Sequence, residues 1–406
     1  MVHHQAAEHI AGVSGFQVAG VHCGLKASGA LDFALIVSSR PCVAAGVFTT
    51  NVVKAAPVLI GEARLKGGAD GVRAVVVNTG SANAVTGEAG LRDAEQTLEW
   101  AAAALCIAPE DVLPLSTGVI GLPLPMERIK RGVEMAAASP AEDWTAAAQA
   151  ITTTDTRPKT AFRRVQTPEG VFTVAGIAKG AGMIAPNMAT MLAVIVTDAT
   201  LTPADADSAL RDATATTFNR IVVDGDMSTN DTVLLLANGA SGVTVSARSA
   251  PFAGALESVC RSLAHQIVSD GEGVTKFITV SVCGATTQAD AVQIAHTIAT
   301  SALVKTAFYG EDANWGRILA AAGRAGVSFD PACVSLHIAE GVEQSGGLAL
   351  LLDGAPTGYA EESAQAIMRA DAITLTLDLG AGAESALVWT TDFSHDYVSI
   401  NADYRS

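Results

Sequence analysis

Short apolar runs rich in β-branched residues punctuate the chain, most of them closed by small or polar turn residues. Between them lie longer alanine-rich stretches whose apolar residues return every three or four positions. The first pattern belongs to buried strands and the second to amphipathic helices. Strands are predicted over 15–21 (GFQVAGV), 31–37 (LDFALIV), 44–48, 73–77 (RAVVV), 172–176, a run opening at Met191 (MLAVIV), a run opening at Ile221, 233–236, 277–283, 334–338, 373–379 and 386–390. Helices are predicted over 93–106, 126–138, 141–150, 203–218, 255–269, 290–301 and 359–369, with Thr202 as a ready N-cap before Pro203. Many short strands mixed with helices, without an internal repeat or a low-complexity linker, point to layered α/β packing. A change of unit is expected near Gly284, giving a main α/β unit over 1–284 and a smaller C-terminal one over 285–406.

Composition narrows the class. The chain has 406 residues, 49% of them hydrophobic, yet no apolar run reaches the length of a membrane span. A formal charge of −16 with no basic cluster argues against nucleic acid and acidic membranes as partners. The N-terminal MVHHQAAEHIAGVSGF has neither the basic start and apolar core of a secretory signal nor the Arg-rich character of a transit peptide, so a cytoplasmic protein is expected. Cys23, Cys42, Cys106, Cys260, Cys283 and Cys333 form no CxxC pair and read as buried free thiols. With no HxxxH or HxH spacing either, no metal is expected.

One stretch departs from both patterns. In KGAGMIAPNMATMLAVIVTDA, residues 179–199, Gly180, Gly182 and Pro186 break regular structure before the apolar run begins. Thr190 therefore stands at the mouth of a buried strand, where a hydroxyl can serve as a nucleophile or simply as a good β-former. Other polar segments follow apolar runs. NTGSANA (78–84) suits a functional loop or a helix-capping turn. In LPLSTGVIG (113–121), Thr117 and Gly118 can aim a hydroxyl and a backbone N–H at one point, as an oxyanion requires, although such a triplet is more often structural. The hydroxyls of ITTTDT (151–156) suit either a substrate's polar end or a helix cap. The three aspartates of IVVDGDMSTNDT (221–232) lack calcium-loop spacing. Glu272, flanked by glycines in SDGEGVTK, can approach an ammonium group closely or lie on a surface turn.

KGAGMIAPNMATMLA, STGVIG, TTDT, DGDMSTNDT, EGVTK, GEDANWGR and the terminal INADYRS together resemble the ornithine acetyltransferase family over nearly the whole chain. Two positions depart from the family's usual form: Thr152 stands for a common Met, and Ala313 for the Pro of a GxDPNWGR loop. The resemblance implies an α/β sandwich similar in arrangement to N-terminal-nucleophile hydrolases. It also implies autocatalytic cleavage between Ala189 and Thr190, giving chains 1–189 and 190–406 that assemble as a heterotetramer of two of each. Thr190 would then be nucleophile and new N-terminus, with Thr117 and Gly118 as its oxyanion hole. Thr153, Lys179, Thr190, Glu272, Asn401 and Ser406 would contact substrate. Lys179 would pair with a substrate carboxylate or tune the Thr190 amine, and Glu272 would meet the ornithine amine or that of Thr190.

The implied reaction moves acetyl from N2-acetyl-L-ornithine to L-glutamate through acetyl-Thr190, in arginine biosynthesis and without a cofactor. The resemblance leaves open whether acetyl-CoA is a second donor, as in bifunctional members, and whether the chain is a paralogue in a secondary pathway. Two further readings compete. A self-cleaving amidase or aminopeptidase would pass the acyl group to water, and an inactive amino-acid-binding relative would stay uncut.

Overall fold

The computed structural model describes residues 9–10, 12–185 and 191–403. They form two compact units. One comprises the described residues up to Asn219 with Asp226–Ile267, and the other Arg220–Gly225 with the described residues from Val268 onward. The sequence places the change of unit near Gly284; here that glycine lies inside a strand paired on both sides in the second unit, and the chain divides before that strand begins.

In the first unit the described strands are β1 (Phe16–Val21), β2 (Phe33–Phe48), β3 (Ala69–Asn78), β4 (Val112–Ser116), β5 (Lys159–Thr167), β6 (Gly170–Lys179) and β7 (Leu192–Thr197); β9 (Thr232–Ala237) joins them after the two-residue β8 (Ile221–Val222) of the other unit. Their order is β4-β3-β2-β9-β7-β6-β5, with β1 also on β2. The Met191 run and residues 233–236 become β7 and β9, a parallel pair buried along its whole length, which explains why both read as unbroken apolar runs. The strands expected over 31–37 and 44–48 are one strand, β2. Its polar Ser38–Pro41 segment sits at a register shift between Val37 and Cys42, where the strand passes from one set of partners to another. The edge strand β5 carries Arg163, Arg164 and Gln166, and this polarity hid it from the apolar pattern. Residues 113–116, read as loop, are the other edge strand, β4, where Pro114 is tolerated because an edge needs no donor there.

Helices cover both faces. α1 is Ala56–Arg64, α2 Gly87–Leu105, α3 Met126–Ala138, α4 Trp144–Ala150, α5 Pro203–Thr216 and α6 Ala250–Val268. Phe33 and Leu35 pack with Leu98 of α2 and Ile129 and Val133 of α3, whereas their neighbours Ala34 and Ile36 pack with Trp144 and Ala147 of α4. Period-two alternation thus builds a helix–sheet–helix sandwich, as expected for layered α/β packing. Thr202 caps α5 by accepting the Asp205 N–H.

The second unit has a sheet in the order β13-β12-β11-β14-β10-β15-β8. Here β10 is Phe277–Ala285, β11 Ser335–Glu340, β12 Leu348–Leu352, β13 Ala355–Pro356, β14 Ala372–Asp378 and β15 Glu384–Thr391. Its helices are α7 (Gln288–Ala299), α8 (Ala302–Tyr309), α9 (Trp315–Gly323), α10 (Glu361–Met368) and α11 (His395–Ala402). Ile278, Val280 and Val282 face Ile294 and Ile298 of α7 in its core. The GEDANWGR segment is a helix junction whose Asn314 caps α9, with Ala313 buried beside it. Of the cysteines, all free, Cys23, Cys42 and Cys260 are buried as expected, while Cys106 and Cys333 are exposed: Cys106 ends α2 in a left-handed turn and Cys333 lies in a surface turn.

Candidate active site

The oxyanion candidates sit where β3 and β4, a parallel pair, end together at Asn78 and Ser116. Asn78 organises the turn. Its carbonyl accepts the Thr117 N–H at 3.0 Å, its Oδ1 accepts the Ser116 hydroxyl at 2.6 Å, and its Nδ2 donates to Ser81 O at 2.9 Å. The 78–84 loop is therefore a scaffold for the 116–119 turn. Gly118 has φ +132, and a Cβ there would lie 2.4 Å from the Gly80 carbonyl carbon, so only glycine lets these backbones meet. Thr117 is buried.

Ala189 and Thr190 lie outside the described residues, as does Ser406. The residue after Thr190, Met191, donates its N–H to Asp231 Oδ1 at 3.0 Å, and its carbonyl accepts the Thr232 N–H at 3.2 Å. The next residue, Leu192, pairs with Lys179 on one side and Thr232 on the other, so Lys179 is fixed beside the start of the strand that follows residue 190. Asn230 closes the ring. Its Nδ2 donates to Ala82 O at 2.7 Å and to Ser116 O at 2.8 Å, tying the Asp231 segment to the turn bearing Thr117.

Thr153 joins through Asp155. The Asp155 side chain is shut off from solvent and accepts from Lys159 Nζ at 2.6 Å, Gly180 N at 2.7 Å and Thr153 N at 2.9 Å. Burial pushes its carboxyl up, but Lys159, Lys179 and these hydrogen bonds outweigh that and hold it well below the usual carboxylate range. Asp231 shows the opposite balance. Burial pushes its carboxyl well above the usual range, against the pull of the Met191 N–H and of Lys179. The two carboxyls near Lys179 are thus shifted in opposite directions, Asp155 down and Asp231 up.

Asp155→Ala is expected to lower stability by about 3–5 kcal/mol, because it removes the buried carboxylate that pairs with the buried Lys159 ammonium and binds the N–H groups of Thr153 and Gly180. Urea unfolding measures this, and a loss below about 1 kcal/mol would contradict it. Because the folded pKa of Asp155 lies below the unfolded one, its stabilisation is present above about pH 4 and is lost as pH falls further.

Glu272 and Asn401 meet in the second unit, where Asn401 Nδ2 donates to Glu272 Oε2 at 2.9 Å and to Tyr397 O at 3.0 Å. Gly273 permits this approach, since a Cβ on it would lie 2.4 Å from Tyr397 N. The turn is held from below by Asp392, which accepts the N–H groups of Thr275 and Lys276 at 2.9 and 3.0 Å. Above Asp392 in the chain, Thr390 and Thr391 receive the buried Lys305 Nζ, at 2.9 Å and 3.0 Å for their hydroxyls. Burial pushes the Lys305 ammonium down to about 7, with Asp392 and Asp224 pulling the other way. Between about pH 7 and 10 the unfolded chain keeps a proton that folded Lys305 has shed, so this group makes stability rise with pH across that window. Melting temperatures at pH 7 and pH 9 should show this component in the wild type and not in Lys305→Met; equal slopes in the two proteins would refute it.

A family model described as the ArgJ family matches residues 17–406. The chain belongs to the ArgJ family. It is 49% identical to the arginine biosynthesis bifunctional protein ArgJ of Geobacter sulfurreducens, over 97% of this chain and 100% of that one. It is 46% identical to the mitochondrial ArgJ protein of Schizosaccharomyces pombe, over 97% and 92%. Among solved structures, an ornithine acetyltransferase from Mycobacterium tuberculosis complexed with ornithine is 45% identical, covering 43% of this chain and 92% of that one with a TM-score of 0.40.

Within this ArgJ chain the structure brings Thr117, Gly118, Thr153 and Lys179 into one hydrogen-bonded region of the first unit, and Glu272 and Asn401 into contact in the second. Asp155, Lys159, Asn230 and Asp231 escaped the sequence reading as site residues. Asp155 and Asp231 lay inside motifs already singled out, but nothing in their spacing revealed which aspartate is buried.

Proposed function

We propose that this ArgJ chain is a glutamate N-acetyltransferase that moves acetyl from N2-acetyl-L-ornithine to L-glutamate by a ping-pong cycle on Thr190. Family membership makes it an acetyltransferase of arginine biosynthesis. What carries the finer reading is that the residue after 190 and the residue before Thr117 are bound by one dipeptide, Asn230–Asp231. That arrangement supports a nucleophile and an oxyanion turn in a common site.

Self-cleavage begins when the Thr190 hydroxyl attacks the Ala189 carbonyl, shifting the acyl group from nitrogen to oxygen; water then hydrolyses the ester and frees the Thr190 amine. With an ordinary pKa of about 8, that amine can take the hydroxyl proton as Thr190 attacks the acetyl carbonyl. The proton passes to the departing ornithine nitrogen, leaving acetyl-Thr190. The glutamate amine then attacks this ester, the proton returns to the Thr190 oxygen, and N-acetylglutamate leaves. Thr117 and Gly118 donate to the oxyanion in each step. Thr153, Lys179, Glu272, Asn401 and Ser406 hold the substrates, whose carboxylates suit Lys179 and whose ammonium groups suit Glu272. The two chains, 1–189 and 190–406, stay together because both contribute strands to the first unit's sheet, and two such pairs form a heterotetramer. Among the described residues no helix is long and apolar enough to cross a membrane, in keeping with a cytoplasmic site of action.

Incubation with N2-acetyl-L-ornithine and L-glutamate should give ornithine and N-acetylglutamate in equal amounts. Equally fast release of acetate without glutamate would instead identify an amidase. A parallel reaction with acetyl-CoA decides whether this chain shares the second activity that its relatives' bifunctional name denotes.

A further inference from the structure

A nucleophile and its oxyanion donors must hold their separation closely, since a displacement of about 1 Å costs on the order of 100-fold in rate. Among the described residues, one dipeptide hydrogen-bonds to both of the elements concerned. Asn230 and Asp231 are consecutive, both are buried, and they bind opposite partners: Asn230 donates to Ala82 O and Ser116 O, while Asp231 accepts the N–H of Met191. Met191 is one peptide bond from Thr190, and Ser116 is one peptide bond from Thr117. The dipeptide is itself anchored. Thr49 N donates to Asp231 O at 2.9 Å, Thr49 Oγ1 donates to Ser228 O at 2.8 Å, and β9 begins at the next residue.

We propose that Asn230 and Asp231 are positioning residues for acetyl transfer, a rigid spacer that sets the separation between Met191, the residue after the nucleophile, and the turn carrying the oxyanion donors. This deepens, and rests on, the reading of Thr190 and Thr117 given above. The side-chain chemistry fits a spacer more closely than a proton relay. Asp231 Oδ1 accepts from Met191, whereas Oδ2 is buried without a close hydrogen-bond partner among the described residues; the Thr49 hydroxyl donates to Ser228 O and pulls the Asp231 carboxyl down only against the larger push of burial. An unpartnered, fully buried oxygen favours the neutral carboxyl, in agreement with the upward push of burial. An asparagine has the same shape and still offers Oδ1 to Met191. Asp231→Asn should therefore replace the native residue, while Asp231→Ala removes the acceptor and Asn230→Ala removes both donors.

The test is steady-state kinetics of the processed enzyme with N2-acetyl-L-ornithine and L-glutamate, plus the half-time of self-cleavage for any variant purified uncut. Asp231→Ala and Asn230→Ala are each expected to lower kcat about 10- to 100-fold with both KM values within about threefold of wild type. Asp231→Asn is expected to stay within about threefold in kcat. If Asp231→Ala does not fold, Asn230→Ala and Asp231→Asn decide the matter by the same criteria. The proposal is overturned if an alanine variant keeps wild-type kcat, if the loss appears in KM alone, or if Asp231→Asn is as slow as Asp231→Ala, which would make charge rather than position the essential property. Failure of the underlying reading looks different: the wild type itself would then transfer no acetyl, or Thr190→Ala would still turn over.

Discussion

Thr190→Ala should be recovered as a single uncut chain with no measurable acetyl transfer. Both outcomes follow from one atom. Without the hydroxyl there is no N-to-O shift at the Ala189 carbonyl, so the α-amine that would act as base is never released, and no ester with acetyl can form. Thr190→Ser keeps a hydroxyl at the same place and should retain some cleavage. Intact-mass measurement distinguishes a chain of 406 residues from fragments ending at 189 and beginning at 190. Cleavage at that bond in the alanine variant would remove Thr190 from the mechanism.

Gly118→Ala is expected to reduce turnover by at least about 10²–10³, the usual cost of losing an oxyanion donor. The added methyl would lie 2.4 Å from Gly80 C and 2.7 Å from both Gly80 O and Ser81 N, and these are backbone atoms that cannot rotate away. To relieve the contact the 78–84 loop must part from the 116–119 turn, which breaks the Val119 N to Gly80 O and Ala82 N to Val119 O hydrogen bonds. The positive φ adds about 1–3 kcal/mol of strain. The β7–β9 core is untouched, so the variant should fold and bind its partner chain while cleaving and turning over slowly. Turnover within about threefold of wild type would mean that this turn does not hold the oxyanion.

Much of the architecture was legible because the first sheet is covered on both faces. A strand buried on both sides must be apolar throughout, and β7 and β9 announce themselves as VIV- and LLL-type runs between turn residues. Strands at the sheet edges meet no such demand, so β5 with its two arginines and β4 with its proline stayed hidden. Short helices were hard for a related reason. α1 contains Gly61, kept small because the Phe48 ring lies 2.7 Å from where its Cβ would be, and that constraint exists only in three dimensions.

The site divides in the same way. The STG and EGVTK motifs, and Lys179 beside the glycine-rich stretch, were recognisable as short words in the sequence. The side chains that bring those words together were not. Asp155 reaches Gly180 across 25 residues and Asn230 reaches Ser116 across 114, and no local spacing encodes either contact. Nor does the sequence say that two lysines hold one buried carboxyl near Lys179 below the usual range while burial pushes the other above it. That difference comes from how many donors surround each.

The central claim is that acetyl rests on Thr190 between donor and acceptor. Its most direct test is to mix the processed enzyme with N2-acetyl-L-ornithine without glutamate, quench in acid, digest and map the peptides by mass. The account predicts one added acetyl on the peptide that begins at Thr190, removed when glutamate is supplied before the quench. An acetyl group on any other residue, or none on a protein that still transfers it, would contradict the account.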